Sequence, residues 1–329
     1  MPRNQTQCSI LNLTIMFNGF LFHGLSLSTI LMWCGVVVAL VFLNELTRRC
    51  KDIAVFTFVV LPIILTLTLW LPKTATPGTG ASTGTWFHWV KVYSALLGCI
   101  GFMLIRYNPK LSKNKFALLF PPIILSLNIL EACFRDFQVF ALHATGQVVD
   151  GVVMISGPWN IMNGIAGILN ILAISGWMGI FISRDENRDM LWPDMLWWWV
   201  IAYDLWNFAY VYNCVSDHAF YAGAALLVSC TIPAFFIRRG AWLQHRAHTL
   251  AIWMMFTMSV PAFVQDSQWS VPASHDPKAL FAVSFVALLV NVMVITYHFW
   301  KVFKFKRNPL KREVNFDEAQ YMDVKREEI

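Results

Sequence analysis

The spacing of the apolar residues constrains this chain most: they fall in runs of about 20, separated by short polar gaps, and that is the length at which an α-helix spans the hydrocarbon core of a bilayer. Hydrocarbon offers backbone N–H and C=O groups no water. A spanning segment must therefore bond them internally as a helix, or share them in a closed barrel. Barrel strands alternate polar and apolar positions over about 10 residues, and the runs here do not alternate. Composition agrees. Of 329 residues, 57% are apolar and 13% charged, against about 45–50% and about 25% in soluble domains. A water-facing shell needs far more polar residues than this. A soluble enzyme, a disordered protein and a disulfide-built secreted domain are excluded. The expected fold class is all-α, a polytopic transmembrane helix bundle.

Nine spans are expected, at about 27–46, 53–71, 87–106, 116–138, 158–182, 192–213, 218–237, 241–264 and 279–303. Residues 9–23 are shorter and interrupted by Asn12, Asn18 and Gly19. They read as an interfacial helix within an external N-terminal segment, 1–26. The bundle then covers 27–304, and 305–329 reads as a solvated, charged cytoplasmic tail with six basic and six acidic residues from Lys306 onward. Only Arg3 precedes Cys8 and no small-residue cleavage site follows, so no cleaved signal peptide is expected. The seven cysteines lie mostly isolated inside apolar runs; they show no metal-ligand spacing and read as packing residues.

Basic residues set the orientation. They follow span 1 (Arg48, Arg49, Lys51), join spans 3 and 4 (Arg106, Lys110, Lys113, Lys115) and join spans 5 and 6 (Arg184, Arg188). They recur around Arg238, Arg239 and Arg246, and after span 9 at Lys301, Lys304, Lys306, Arg307, Lys311, Arg312, Lys325 and Arg326. These are 20 of the 25 Lys and Arg, and nine spans put all of them on one side. The positive-inside rule then gives an external N-terminus and a cytoplasmic C-terminus. The net charge of +6 is thereby accounted for without a nucleic-acid partner. One internal similarity, between 61–70 (LPIILTLTLW) and 121–130 (PPIILSLNIL), suggests a duplicated hairpin.

Ionisable side chains inside a span cost about 2.5–3.5 kcal/mol on insertion scales, so they carry functional information. Span 4 holds Asn128, Glu131 and Arg135 on one face, followed by Asp136 and Gln138. Glu131 and Arg135 are spaced to pair with each other, which leaves Asp136 as an extra acid. In span 5, Asn160, Asn163, Gly167 and Asn170 share a face, with Gly164 beside it. That stripe suits a ligand, or hydrogen bonds between helices. Asp204 sits mid-span in span 6, with Asn207 and Tyr210 at three-residue steps. An unpaired aspartate there is either neutral or cation-bound. With helices of alternating direction, these groups and His88, Lys91 and Tyr93 come to one depth. The reading is an outward-facing polar cavity bound by Glu131, Arg135, Asp136, Asn160, Asn163, Asn170, Asp204, Asn207 and Tyr210, with Asp204 as its centre. Elsewhere, Gln244, His245, Arg246 and His248 read as a solvated helix start, and Asn44, Glu45 and Arg48 as a charged cap.

Known membrane chemistries fit poorly. No lysine lies mid-span for a retinal Schiff base, and Tyr203-Asp204 lacks the second aspartate of an intramembrane protease on the next span. Gly-x-Ser-x-Gly, His-Glu-x-x-His, a Walker-type phosphate loop and a potassium-filter sequence are all absent. The blocks EACFRDF (131–137), PWNIMNGIAGILNI (158–171) and YDLWNFAYVYNC (203–214) resemble those of a bacterial multi-pass membrane family of unknown function. That resemblance covers most of the chain and implies the cytoplasmic membrane of a bacterium. The resemblance carries no known activity; from the residues themselves no cofactor or metal is expected, and the expected partners are the lipid bilayer and a small polar solute. The leading reading is a transporter or channel-like protein for a small polar or charged solute or for protons. An intramembrane enzyme acting on a lipid or prenyl substrate and a ligand-binding sensor stay open beside it.

Overall fold

The computed structural model describes residues 19–74, 86–149 and 152–328. Nine long helices account for most of them: α1 (Leu27–Arg49), α2 (Lys51–Lys73), α3 (Trp86–Tyr107), α4 (Phe120–Leu142), α5 (Pro158–Leu172), α6 (Trp197–Cys214), α7 (Ser216–Phe236), α8 (Trp242–Ser259) and α9 (Pro277–Phe305). Local chemistry sets their ends. Ser26 and Thr29 form a capping box at the start of α1, and Asp276 accepts the Lys278 N–H at 2.8 Å at the start of α9, each satisfying a donor that the first turn leaves open. Within α2, π-helical turns at Phe56–Val60 and Thr66–Trp70 flank the segment that begins Leu61-Pro62. Pro62 has no N–H and its ring crowds the preceding turn, and a widened turn relieves both. The similar segment 121–130 lies wholly inside the regular helix α4, so the two copies differ in backbone.

Six helices, α1, α2, α3, α4, α7 and α9, are long and apolar enough to cross a membrane. Only 22% of the apolar window of α1, and likewise of α2, is buried in the protein, against 67% for α7. Phe42, Leu67, Phe134 and Phe303 stand exposed, and apolar surface of that extent is consistent with a membrane protein. The remaining three, α5, α6 and α8, are 15, 18 and 18 residues long. They form the middle of the bundle: α5 packs on α4, α6 and α9, and α8 packs on α1, α3 and α7. Close approach of α5 depends on its glycines. A Cβ at Gly164 would meet the Phe137 ring at 2.5 Å, and one at Gly167 would meet Cys133 Sγ at 2.3 Å and Trp206 Nε1 at 2.5 Å.

The two boundaries around the connection from span 5 to span 6 differ from the expected ones. Span 5 ends at Leu172 rather than 182, and α6 starts at Trp197 rather than 192. Between them runs a buried loop containing a two-stranded hairpin, β3 (Phe181–Ile182) with β4 (Met190–Leu191), β1 and β2 being the similar pair Val148–Val149 and Val152–Val153. Ile180, Met190, Leu191 and Trp192 in this loop are buried; a buried loop is as apolar as a helix and imitates one in the sequence. At the N-terminal segment, 9–18 lies outside the described residues. Phe22 forms an antiparallel bridge with Ala273 and packs edge-on against Tyr212 and Phe220.

The tail corrects the expectation of a solvated end. Val314 and Val324 are buried, and the helix α10 (Ala319–Lys325) lies between the hairpin loop and the α7–α8 turn. Asp194 accepts the backbone N–H groups of Val314 and Asn315 at 2.9 and 2.7 Å. Lys301 pairs with Asp317 at 2.8 Å and also with Glu318. At Gly240, φ is +80° and an added Cβ would meet Val324 at 2.6 Å, so only glycine serves there.

Candidate functional site

Helices α3, α4, α6, α7 and α8 converge on an internal cavity of about 100 Å³. His88 and Lys91 reach it from α3, Asn128 from α4, Tyr203, Asn207 and Tyr210 from α6, and Arg246 from the second turn of α8. Ala132, Val211, Leu226, Leu250 and Trp253 supply much of the remaining wall. Arg246 Nε donates to the Tyr203 hydroxyl at 3.4 Å, and its NH2 donates to Asn207 Oδ1 at 3.2 Å. Lys91 lies 5.8 Å from the centre of the Tyr210 ring and pairs with Glu131 at 2.9 Å. The lining thus mixes cationic, amide and phenolic groups with apolar side chains.

Of the nine residues singled out in the sequence, Asn207 and Tyr210 line this cavity. Asp136, Asn160 and Asn163 form a separate knot that joins α4, α5 and α6. Asp136 is fully buried; its Oδ1 accepts from Asn160 Nδ2 at 3.1 Å and from Cys214 Sγ at 3.3 Å, and its Oδ2 accepts from Asn163 Nδ2 at 2.7 Å. Three donors on one carboxylate offset much of the cost of removing it from water. Asn170 donates to Asn291 Oδ1 on α9 at 3.0 Å, and its carbonyl accepts from Trp199 Nε1 at 3.1 Å. The asparagine stripe of α5 therefore bonds helices to one another.

Two pairings differ from the expected ones. Glu131 does not pair with Arg135. Lys91 from α3 takes Glu131, and Arg135 instead donates to Gln138 Oε1 at 2.7 Å. An interhelical cation takes the carboxylate that i,i+4 spacing alone assigns to an intrahelical one. Asp204 is the second case. Its Oδ2 accepts from Thr231 on α7 at 2.7 Å, Thr231 also accepting from Trp242 Nε1 at 3.2 Å. No hydrogen bond of Asp204 among the described residues reaches Glu131, Asn160 or Asn163, so the single shared cavity expected of all nine residues does not form. Asp136 and Asp204, two of the acid–base candidates of the enzyme reading, bond to separate partners.

A further polar cluster was misread from sequence. Gln244, His245 and His248 are fully buried rather than solvated. Asn44 Nδ2 meets His245 Nδ1 at 2.8 Å, and Gln244 Nε2 donates to Asp189 Oδ1 at 2.9 Å. Asp189 also holds Arg48 at 2.6 Å, Arg238 at 3.0 Å and Arg106 at 3.7 Å. Arg48 additionally pairs with Glu45 at 2.8 Å, so the expected cap of α1 is part of an interior network. Its signal in the sequence was the polar density of QHRAH inside an otherwise apolar helix; Asp189, in a loop, gave none.

Among the described residues, no group of three or more His, Cys, Asp or Glu is arranged to hold a metal ion. Searches of curated proteins and of solved structures returned no match to the chain. A family model, described as a family of unknown function, DUF5692, matches residues 24–327. With a match that covers the helical bundle and nearly all of the tail, the chain belongs to this family of unknown function, DUF5692.

Proposed function

We propose that the chain is a multi-pass protein of the cytoplasmic membrane in which all nine long helices cross the bilayer, and that its central cavity carries a small polar or charged solute across. The arginine-rich end and the C-terminus face the cytoplasm in this reading. Two meeting points support nine crossings. Arg48, Arg106, Asp189 and Arg238, from alternate connections, gather at one end. Leu21, Tyr212 and Ser274 gather with His275 and Ser216 at the other. The basic residues of the first end give the orientation.

The observation that carries the transport reading is the cavity itself. Cationic, amide and phenolic side chains from four helices, α3, α4, α6 and α8, face one cavity within an otherwise apolar bundle. Polar groups in such a place mark solute pathways. A cysteine at Ala222, which lines the cavity, tests it. In right-side-out and inside-out vesicles, a membrane-impermeant thiol reagent is expected to modify Ala222→Cys from both faces, above the background of the native chain. Reaction from neither face would make the cavity a packing void. Reaction from one face alone would make it a receptor pocket. Either result overturns transport.

A further inference from the structure

We infer that the solute is a small organic anion whose carboxylate is received by the guanidinium of Arg246; this rests on the solute-binding reading of the cavity. Arg246 is 6% exposed. Its Nε and NH2 each have a neutral partner, Tyr203 and Asn207, and its NH1 has none. No carboxylate among the described residues stands within the 4.0 Å of an ion pair, and the neighbouring Asp204 gives Oδ2 to Thr231. The other deeply buried arginines are treated differently. Arg48 and Arg106, 3% and 0% exposed, share the carboxylate of Asp189. A buried cation requires a compensating anion; among the described residues Arg246 has only the charge of Asp204, beyond ion-pair distance, and its own unpartnered NH1 borders the cavity.

The surroundings define the anion. The forked guanidinium matches a carboxylate with two parallel hydrogen bonds; Lys91, the other cation of the cavity lining, is already paired with Glu131. Inorganic phosphate presents acceptors on every side and needs donors all round. Here Ala132, Val211, Leu226, Leu250 and Trp253 add apolar side chains to the lining, which suits a short hydrocarbon or similarly apolar tail. A space of about 100 Å³ admits only a few non-hydrogen atoms. The class is therefore a short-chain monocarboxylate.

The test uses the full chain purified in detergent, its thermal unfolding being followed with acetate, propionate, butyrate, hexanoate, phosphate and chloride, and with acetamide and butyramide as neutral counterparts. Bound ligand raises the midpoint in a saturable way. Short carboxylates are expected to do so and the amides not. Arg246→Gln is expected to weaken carboxylate binding at least tenfold, with Arg246→Lys intermediate. Leu250→Phe, which leaves Arg246 intact and fills the cavity, is expected to abolish butyrate binding first, and it serves if Arg246→Gln fails to fold. Binding of phosphate without carboxylates, or of amides as tightly as acids, would overturn the anion class and leave the solute reading standing. Unchanged affinity in both Arg246→Gln and Leu250→Phe would do the same. If no compound binds while Ala222→Cys is modified from both faces, the anion class alone fails. If neither occurs, both readings fail.

Discussion

Arg48 and Asp189, 141 positions apart in the chain, form an ion pair of 2.6 Å around a carboxylate that is closed to solvent. Arg238 stands 3.0 Å from the same carboxylate oxygen, and Arg106 stands 3.7 Å from the other. One negative charge thus ties the ends of α1 and α3 to the hairpin loop and the α7–α8 turn. Removing it leaves clustered cations without their counter-charge. Asp189→Asn is expected to lower stability by about 3–5 kcal/mol, the scale for breaking a buried pair from one side. Unfolding in detergent checks this. Arg238→Gln, at the more accessible edge of the cluster, is expected to cost less; the reverse order would remove Asp189 from the centre of the network.

Asp136 invites a double-mutant cycle. Asp136→Ala leaves the amides of Asn160 and Asn163 without an acceptor, at about 1–3 kcal/mol for each stranded group. Asn163→Ala removes one donor at 2.7 Å. Since the two residues share one bond, the double variant is expected to cost less than the sum of the singles, with a coupling of about 0.5–3 kcal/mol. Additive losses would mean that the hydrogen bond contributes nothing to the joining of α4 and α5.

Attachment of the tail is expected to depend on acid. Burial pushes the Glu313 carboxyl up, but hydrogen bonds from its own backbone N–H and from Lys325, with the charges of Lys325 and Arg307, outweigh that and hold it below its ordinary 4.5. For an acid lowered in this way, the stabilisation is complete above the ordinary value and is lost as pH falls through the lowered one. Protection of 306–328 from protease or hydrogen exchange is therefore expected to persist at neutral pH and to decline on acidification below 4.5. Glu313→Gln should flatten that decline. An unchanged acid limb in this variant would assign it to other groups.

Topology has its own measurement. Gln147 and Lys311 are both exposed and lie on loops at opposite ends of the bundle. A cysteine at Gln147 is expected to react with impermeant reagent in intact cells, and one at Lys311 only after permeabilisation. The opposite pattern would invert the protein in the membrane. Reaction of both in intact cells would remove the nine-span count.

The hydrophobic runs located the long helices because α1, α2, α3, α4, α7 and α9 are apolar along their length and α5, α6 and α8 are packed among them. Ends were less legible. The loop 173–196 escaped because Ile180, Leu191 and Trp192 are buried by the tail and α8 and so look like helix. The site was legible as residue types but not as partnerships. Asn160, Asn163 and Asp136 share a face in register, so their meeting followed from helical spacing. The pairing of Asp204 with Thr231, and of Arg48 with Asp189, depends on which helices become neighbours, and no single segment encodes that. Arg246 was placed in a solvated helix start because the turn before it, Arg238-Arg239-Gly240, is basic. What buries it is the insertion of α8 between α3 and α7.

The Lys91–Glu131 pair provides the sharpest contrast between spacing and contact. Lys91 is 14% and Glu131 29% exposed, and they meet at 2.9 Å between α3 and α4. Arg135, four residues from Glu131, instead holds Gln138. If the contact governs, Glu131→Lys should be harmful alone and Lys91→Glu likewise, since each sets like charges together between the two helices. The exchange Lys91→Glu with Glu131→Lys should recover most of the loss. Partial exposure limits the expected gain on recovery to about 1 kcal/mol, the upper end for pairs that water still reaches. Arg135→Ala should change stability by less than either single reversal, because it removes a charge whose partner is a neutral amide. Thermal unfolding of the four variants decides between the two pairings. If Arg135→Ala is as damaging as Glu131→Lys and the exchange brings no recovery, Glu131 depends on Arg135, and the link between α3 and α4 beside the cavity is lost from this account.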